Sequence, residues 1–191
     1  MRVGVLALQG DVREHLMAIR ALGSEAIEVR NTQDLAQVGG LILPGGESTT
    51  ISKLIDIFNM RGPLKDYIAS GKPVFGTCAG MIMLAEEVID AASSQESLAA
   101  MDISVQRNAF GSQLDSFETQ LDFAGKSVSV AFIRAPIVTR VGKDVQVLSM
   151  LDDGTVVAVR QANALATSFH PELTGDNGVH EYFLGMVSGT L

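Results

Sequence analysis

The segment Gly76-Thr77-Cys78-Ala79-Gly80 places the only cysteine of this 191-residue chain between two glycines. A short apolar run, residues 73–75, precedes it and predicts a buried strand. Residues 81–89 follow, and their apolar, breaker-free sequence predicts a helix. A nucleophile at a sharp turn from strand to helix is the arrangement known as a nucleophile elbow, in which flanking glycines give the turn its freedom. The segment therefore predicts a reactive cysteine rather than a buried structural one.

The helix predicted after Cys78 would present free N–H groups and the positive end of its dipole to the sulfur. Both features favour thiolate over thiol. The N–H of the next residue, Ala79, could stabilise a developing oxyanion. The surroundings predicted for the cysteine thus suit a covalent mechanism.

A cysteine nucleophile needs a base, and the base needs an orienting partner. His170-Pro171-Glu172 offers both. Pro171 favours an extended His170, and side chains two residues apart on an extended chain lie on the same side, so Glu172 is expected to reach the imidazole. In α/β-hydrolases the acid precedes the histidine along the chain. The opposite order here disfavours an esterase.

Strands and helices alternate through the first half of the chain. The predicted strands are residues 2–8, 26–29, 41–43 and 73–75, and the predicted helices are residues 12–22, 50–58 and 63–70. Asp11 is expected to cap the first helix, and Ser48 or Thr49 the second. This alternation predicts an α/β fold with a parallel sheet, in which ligands bind beyond the carboxyl ends of the strands. The loop Pro44-Gly45-Gly46 and Cys78 are both expected to face that crevice.

The second half contains little predicted helix. Its predicted strands are residues 103–107, 117–123, 127–134, 144–148, 155–161 and 165–169, with a hairpin turn at Ala162-Asn163. Residues 93–100 are expected to form a loop, and residues 178–187 a last helix. A mostly parallel sheet with an antiparallel extension in the second half fits this pattern. No linker or repeat interrupts it, so we expect one domain over residues 1–191.

Composition excludes several classes of partner. Acidic residues exceed basic ones by 22 to 14, giving a net charge of −8, which argues against nucleic acid or an anionic membrane surface. One cysteine permits no internal disulfide, and the three histidines show no metal-ligand spacing. We therefore expect no metal site and a reduced, cytoplasmic setting. No apolar run is long enough to span a bilayer, and the N-terminus lacks the features of a signal peptide.

Two further features have both a functional and an ordinary interpretation. Gly45-Gly46-Glu47-Ser48 lacks the lysine and spacing of a P-loop. It suits an oxyanion hole or a bound carboxylate, or else forms a simple turn from strand to helix. Arg107 and Arg134 are isolated cations that either bind the carboxylate of an amino acid or are solvated charges at strand ends.

Several motifs together carry a family resemblance. The segment around Cys78 and the triplet His170-Pro171-Glu172 resemble the class I, or triad, glutamine amidotransferases. Further segments narrow the resemblance to the PdxT family, the glutaminase subunits of pyridoxal 5′-phosphate synthase. They are Leu8-Gln9-Gly10-Asp11-Val12-Arg13-Glu14-His15, Pro44-Gly45-Gly46-Glu47-Ser48-Thr49-Thr50, Arg107-Asn108-Ala109-Phe110-Gly111 and Phe132-Ile133-Arg134-Ala135-Pro136.

The resemblance implies a flavodoxin-like three-layer α/β/α fold and hydrolysis of L-glutamine to L-glutamate and ammonia. It implies Cys78 as the nucleophile, with His170 and Glu172 completing the triad. It also implies an oxyanion hole at Gly46 and Ala79, and no cofactor. The residues implied to bind glutamine are Gly46, Glu47, Ser48, Arg107, Ile133 and Arg134.

The implied partner is a separate synthase subunit, which uses the ammonia to assemble pyridoxal 5′-phosphate from a pentose phosphate and a triose phosphate. Because the Gly45-Gly46 peptide can change orientation at little steric cost, we expect the partner to switch the glutaminase on. Two alternatives remain at this point. One is a cysteine peptidase or other hydrolase of the same fold, and the other is a non-catalytic binding subunit. Release of ammonia from glutamine distinguishes all three.

Overall fold

The computed structural model describes residues 2–91, 95–107 and 116–191. Its strands are β1 (Arg2–Leu6), β2 (Glu25–Val29), β3 (Gly40–Leu43), β4 (Val74–Thr77), β5 (Ala85–Ile89), β6 (Met101–Gln106), β7 (Phe117–Phe123), β8 (Lys126–Phe132), β9 (Ile137–Val141), β10 (Gln146–Met150), β11 (Val156–Gln161) and β12 (Ala164–Thr167). Its helices are α1 (Val12–Ala21), α2 (Thr32–Ala36), α3 (Ser48–Ile57), α4 (Arg61–Ala69), α5 (Ala79–Leu84) and α6 (Gly178–Ser188), with a 3₁₀ turn at Pro171–Leu173.

Strands from both halves of the chain form a single ten-stranded sheet in the order β2-β1-β3-β4-β12-β11-β9-β6-β5, with β10 added beside β11. The first five of these strands are parallel to one another. From β12 through β11 and β9 to β6 each pair is antiparallel. The predicted parallel sheet with an antiparallel extension is therefore confirmed. The hairpin β7-β8 forms a second, two-stranded sheet.

Two apolar clusters cover opposite faces of the sheet. On β3, Leu41 and Leu43 belong to one cluster and Ile42 to the other, as expected when successive side chains point to opposite faces. The first cluster includes residues of α2 to α5, and the second includes residues of α1, α6 and the β7-β8 hairpin. The resulting three layers confirm the flavodoxin-like fold class. Within the described ranges, no helix combines the length and apolar character needed to cross a membrane.

The prediction of one helix over residues 81–89 is wrong in its second half. Helix α5 ends at Leu84, and Ala85–Ile89 forms β5, which pairs in parallel with β6. Local propensity favoured a continuing helix because Glu86 and Glu87 are good helix formers. The open edge of β6 instead provides backbone partners for this segment, and tertiary pairing overrides the local preference.

Of the two predicted helix caps, the one for α3 is wrong. Glu47, not Ser48 or Thr49, caps α3: its carboxylate accepts hydrogen bonds from the N–H groups of Thr49 and Thr50. Asp11 does occupy the N-cap position of α1, but its side chain makes no capping hydrogen bond. The carboxylate of Asp11 turns towards the site described next. The helix α2 and the strand β9 were not predicted, and part of the predicted loop over residues 93–100 lies outside the described residues.

Candidate active site

Cys78 lies at the turn between β4 and α5 and has strained backbone dihedral angles, φ 48° and ψ −101°. Such angles are unusual for a residue with a Cβ atom and tend to occur at functional sites. The neighbouring glycine is required by packing, since a Cβ on Gly80 would collide with the carbonyl oxygen of Leu43 on β3. The expected sharp turn from strand to helix is therefore present at Cys78, and close packing of α5 against β3 explains the second glycine of the segment.

The sheet order brings the candidate residues together. Strands β3, β4 and β12 are adjacent and parallel, so the loops at their carboxyl ends share one edge. The N–H of Cys78 donates to the carbonyl of Thr167 at the end of β12 (2.8 Å). His170 lies shortly after the end of β12. Its backbone forms two hydrogen bonds, 2.7 and 3.3 Å long, with the backbone of Ala131 on β8. Cys78 and His170 thus line the same cleft.

Glu172 reaches the imidazole as expected, but through a different backbone conformation. His170 Nδ1 lies 2.7 Å from Glu172 Oε1. His170 is extended, with φ −105° and ψ 92°, whereas Pro171–Leu173 forms a 3₁₀ turn rather than a continued strand. The expected extended triplet is wrong at Glu172. The turn still directs the carboxylate back to the ring and buries its side chain completely.

A second carboxylate reaches the same imidazole nitrogen. Asp11 Oδ2 lies 3.3 Å from His170 Nδ1. Burial lowers the pKa of His170, but hydrogen bonds with Asp11, Cys78 and Glu172 outweigh this effect and raise the pKa. Burial raises the pKa of Glu172, and the hydrogen bond from His170 opposes that rise. The pKa values of both side chains are thus raised, so one proton is held between them. Because two carboxylates lie at His170 Nδ1, we assign this proton to His170.

The sequence alone did not identify Asp11 as part of the site, because an aspartate before a helix predicts an N-cap. Asp11, His170 and Glu172 place their ligand atoms within 4.8 Å of one another, a spacing that could hold a metal ion. Both carboxylates, however, point to the same protonated ring nitrogen. Hydrogen bonding therefore accounts for this group without an ion.

These residues face a cleft of about 580 Å³. Every predicted site residue except Glu172 lines this cleft, and Glu172 lies behind His170. The lining residues are Asp11, Gly46, Glu47, Ser48, Cys78, Ala79, Ile82, Arg107, Ser116, Ile133, Arg134, His170 and Leu173. Asp11, Ile82, Ser116 and Leu173 were not predicted. Leu173 directly follows the His170-Pro171-Glu172 triplet but has an apolar side chain, and Ser116 belongs to no recognised motif. Ile82 has the sequence character of an ordinary core residue.

Both candidate arginines border the cleft, with different surroundings. Arg107 donates to Gln95 Oε1 (2.9 Å) and lies 3.6 Å from Glu47 Oε1. Residues 108–111, the remainder of the motif that begins at Arg107, lie outside the described residues. Arg134 has a positive φ of 45° and is exposed, and it makes no hydrogen bond or ion pair with another described residue. One cation is thus held in place, and the other points freely into the cleft region.

The loop after β1 packs against the loop after β3. Gln9 Oε1 accepts a hydrogen bond from the N–H of Glu47 (2.9 Å), and the N–H of Asp11 donates to the carbonyl of Gly45 (3.1 Å). A Cβ on Gly10 would collide with the same Gly45 carbonyl. These contacts hold the Gly45-Gly46 peptide in one orientation at the wall of the cleft.

Two fully buried histidines lie behind Glu172. His15 on α1 approaches Glu172 Oε1 to 3.5 Å through Nε2, which also lies 3.1 Å from Thr77 Oγ1. Its Nδ1 lies 2.9 Å from His180 Nε2 on α6. Sequence analysis attached no function to either residue, because their contact depends on the packing of two helices far apart in the chain. The family motif around residues 8–15 was the available signal for His15.

Comparisons with known proteins agree with this geometry. Residues 5–189 match the model of the SNO glutamine amidotransferase family. The chain is 57% identical over 189 residues to the pyridoxal 5′-phosphate synthase subunit PdxT of Corynebacterium jeikeium, covering 98% of this chain and 97% of that protein. It is 56% identical to the PdxT subunit of Nocardia farcinica, covering 97% and 85%. A crystal structure described as a glutamine amidotransferase superimposes with a TM-score of 0.92 at 47% identity, covering 97% of this chain and 98% of the other.

Proposed function

The chain belongs to the SNO glutamine amidotransferase family, and from this premise we propose that it hydrolyses L-glutamine and supplies the ammonia to a pyridoxal 5′-phosphate synthase subunit. The observation that carries the proposal is the meeting of Cys78 and His170 in one cleft, with Glu172 hydrogen-bonded to His170 from behind. Relatives named as synthase subunits are 56% and 57% identical to this chain over the aligned residues. We place the chemistry in the cytoplasm, where a single thiol stays reduced.

In the proposed first step, Cys78 Sγ attacks the side-chain amide carbon of glutamine. The carbonyl oxygen becomes negative, and the N–H groups of Gly46 and Ala79 stabilise it. His170 donates a proton to the departing nitrogen, so that ammonia leaves and a thioester remains. Glu172 fixes the orientation of the ring and stabilises its positive charge through the 2.7 Å hydrogen bond.

In the second step, water attacks the thioester carbon. His170, now neutral, accepts a proton from that water, and the bond from carbon to sulfur breaks to release glutamate. Because His170 returns to its protonated state, the resting arrangement is restored. No cofactor takes part in this sequence.

Arg107 and Arg134 are the proposed partners of the α-carboxylate of glutamine, because a guanidinium recognises a carboxylate by paired, charge-assisted hydrogen bonds. Arg134 projects from the same segment as Ile133, whose carbonyl oxygen lies 3.9 Å from Cys78 Sγ. Gly46, Glu47 and Ser48 form the facing wall. These positions would direct the amide end of the substrate to the sulfur.

The orientation of the Gly45-Gly46 peptide offers a means of control by the synthase subunit. The carbonyl of Gly45 accepts from the N–H of Asp11, and a reversed peptide would lose this bond. Contact with a partner near Gln9 and Gly10 would act directly on this peptide, because both residues pack on it. We therefore propose that the partner sets the orientation of the Gly46 N–H and with it the oxyanion hole.

A Cys78→Ala substitution tests the proposed function. We expect the variant, mixed with a synthase subunit, to make no pyridoxal 5′-phosphate from glutamine but to leave synthesis from added ammonium salts intact. The ammonium arm is the matched control, since it shows that the complex still assembles. Retained glutamine hydrolysis would remove Cys78 from the mechanism. A wild-type chain that releases no ammonia even with the partner would favour the peptidase or the non-catalytic alternative.

A further inference from the structure

The buried pair His15 and His180 has no part in the steps above, yet it contacts the triad. Both side chains are fully buried, and His15 Nε2 lies 3.5 Å from Glu172 Oε1. Burial, together with the nearby His180 and His170, lowers the pKa of His15, and burial lowers the pKa of His180 to about 4. Both rings are therefore neutral near pH 7, and each carries one N–H.

The hydrogen bonds determine which nitrogen carries each proton. If His15 were protonated on Nδ1, it would donate to His180 Nε2, and His180 would hold its own proton on Nδ1. That atom is buried and has no partner among the described residues, so a buried N–H donor would be left unpaired. The lone pair of His15 Nε2 would also face the Glu172 carboxylate.

The opposite assignment removes both difficulties. His180 Nε2–H donates to His15 Nδ1 over 2.9 Å, and His15 Nε2–H points towards Glu172 Oε1 and Thr77 Oγ1. Only a lone pair at His180 Nδ1 is then unpaired, and orphaned N–H donors are the rarer kind of defect in proteins. The geometry thus forms a chain of donors running from α6 through α1 to Thr77 Oγ1, with Glu172 Oε1 3.5 Å from the same nitrogen.

Glu172 has few side-chain hydrogen-bond donors among the described residues. Its Oε2 is buried without a hydrogen-bond partner among the described residues, so Oε1 receives its hydrogen bonds. A buried carboxylate with few donors tends to take up a proton. We propose that His15, held in its tautomer by His180, is a positioning residue that donates to Glu172 and keeps this carboxylate ionised and directed at His170. This inference rests on the proposed function.

The histidine content of the chain makes a direct test practical, since only three imidazoles contribute to a spectrum. Imidazole ¹⁵N NMR of the wild-type protein near pH 7, assigned with single His→Gln variants, reports the protonated nitrogen of each ring. We expect Nε2–H tautomers for His15 and His180, and both nitrogens protonated in His170. An Nδ1–H tautomer at His15 would overturn the proposal, whatever the enzymatic activity.

Paired substitutions at His15 test how its hydrogen bond affects catalysis. We expect His15→Leu to lower kcat by about tenfold to a hundredfold with little change in KM, the usual effect of losing a hydrogen bond to a charged group. His15→Gln retains an N–H near the position of Nε2 and should recover most of that loss. Circular dichroism and thermal melting identify variants that fold. Wild-type kcat in a folded His15→Leu variant would contradict the proposal.

A second measurement separates positioning from general destabilisation. Cys78 is the only thiol, so the rate of iodoacetamide alkylation against pH reports its thiolate alone. The groups that face Glu172 are His15, His170 and Asp11. Losing the His15 donor favours protonated Glu172, which weakens the charge on His170 and moves the alkylation curve of His15→Leu to higher pH.

Superimposable alkylation curves for wild type and His15→Leu would refute this coupling. Failure of the proposed function looks different, since it would appear as absent ammonia release in the wild type with partner present. Alkylation and tautomer data are unaffected by that outcome.

Discussion

Replacing Asp11 by asparagine removes one of the two negative charges next to His170 Nδ1 and leaves the size of the side chain unchanged. The carboxylate lies 3.3 Å from the nitrogen, whereas Glu172 lies at 2.7 Å. Helix α1 should form normally in the variant because the Asp11 side chain makes no capping hydrogen bond. The substitution therefore tests electrostatics at the imidazole.

The size of the effect follows from distance and exposure. Two unit charges 3.3 Å apart attract by about 5 kcal/mol at an effective dielectric constant of about 20. The Asp11 side chain is 35% exposed, so solvent screens much of this attraction, and the contact is longer than a good N–H···O hydrogen bond. About 1 kcal/mol remains, which corresponds to about 0.7 pKa unit.

The negative charge of Asp11 determines the direction in which the pKa of His170 changes. Asp11 favours the imidazolium and raises the pKa of His170, so Asp11→Asn should lower that pKa. Glu172 and Cys78 remain in the variant, so part of the increase in the pKa of His170 is retained. The alkaline limb of kcat/KM, which reports loss of the His170 proton, should move to lower pH by about 0.5–1 unit.

The assay is ammonia release from glutamine, followed from neutral to alkaline pH with the synthase subunit present. Glu14→Gln is the matched control, because it removes a carboxylate from the same helix that pairs only with Arg13 among the described residues. An alkaline limb that stays in place in Asp11→Asn, or that moves equally in Glu14→Gln, would refute the reasoning.

Two further predictions concern the substrate and the partner. Arg107→Ala and Arg134→Ala should each raise KM for glutamine by about tenfold to a hundredfold through loss of a charge-assisted hydrogen bond. The exposed Arg13→Ala is the control, and unchanged KM values in both cleft variants would make these arginines solvated charges. Adding the synthase subunit should raise hydrolysis at least about tenfold, since one oxyanion donor usually contributes about 10²–10³ in turnover. Equal turnover with and without the partner at saturating glutamine would indicate a preformed site.

The sheet and the elbow could be predicted from the sequence because their signals are local. Apolar runs between turn residues indicated β1, β3 and β4, and the glycine frame around Cys78 indicated the turn. The segment Ala85–Ile89 was not predictable in this way. Its residues are compatible with both helix and strand. Its secondary structure therefore depends on pairing with the free edge of β6, a strand that follows later in the chain.

The site was predictable where its residues belong to motifs and hidden where it depends on packing. Cys78, His170 and Glu172 stand in short segments with recognisable chemistry. Asp11 follows the rule for a helix cap, and only the tertiary structure turns its side chain to His170. The contact between His15 and His180 joins positions 165 residues apart. No local pattern reports such a pair.

The glycines of the separate motifs are required for the same physical reason, which is that the neighbouring atoms leave no space for a Cβ. A Cβ on Gly80 would meet the carbonyl of Leu43, and a Cβ on Gly45 would meet the His170 ring. These glycines allow the carboxyl ends of β3, β4 and β12 to approach more closely than side chains would permit. Because the proposed nucleophile, its proposed base and the candidate oxyanion peptide each follow one of these strands, this close approach brings the candidate site together. Motifs far apart in the sequence are thus constrained together: a side chain added at either glycine would separate the groups that the proposed reaction requires in contact.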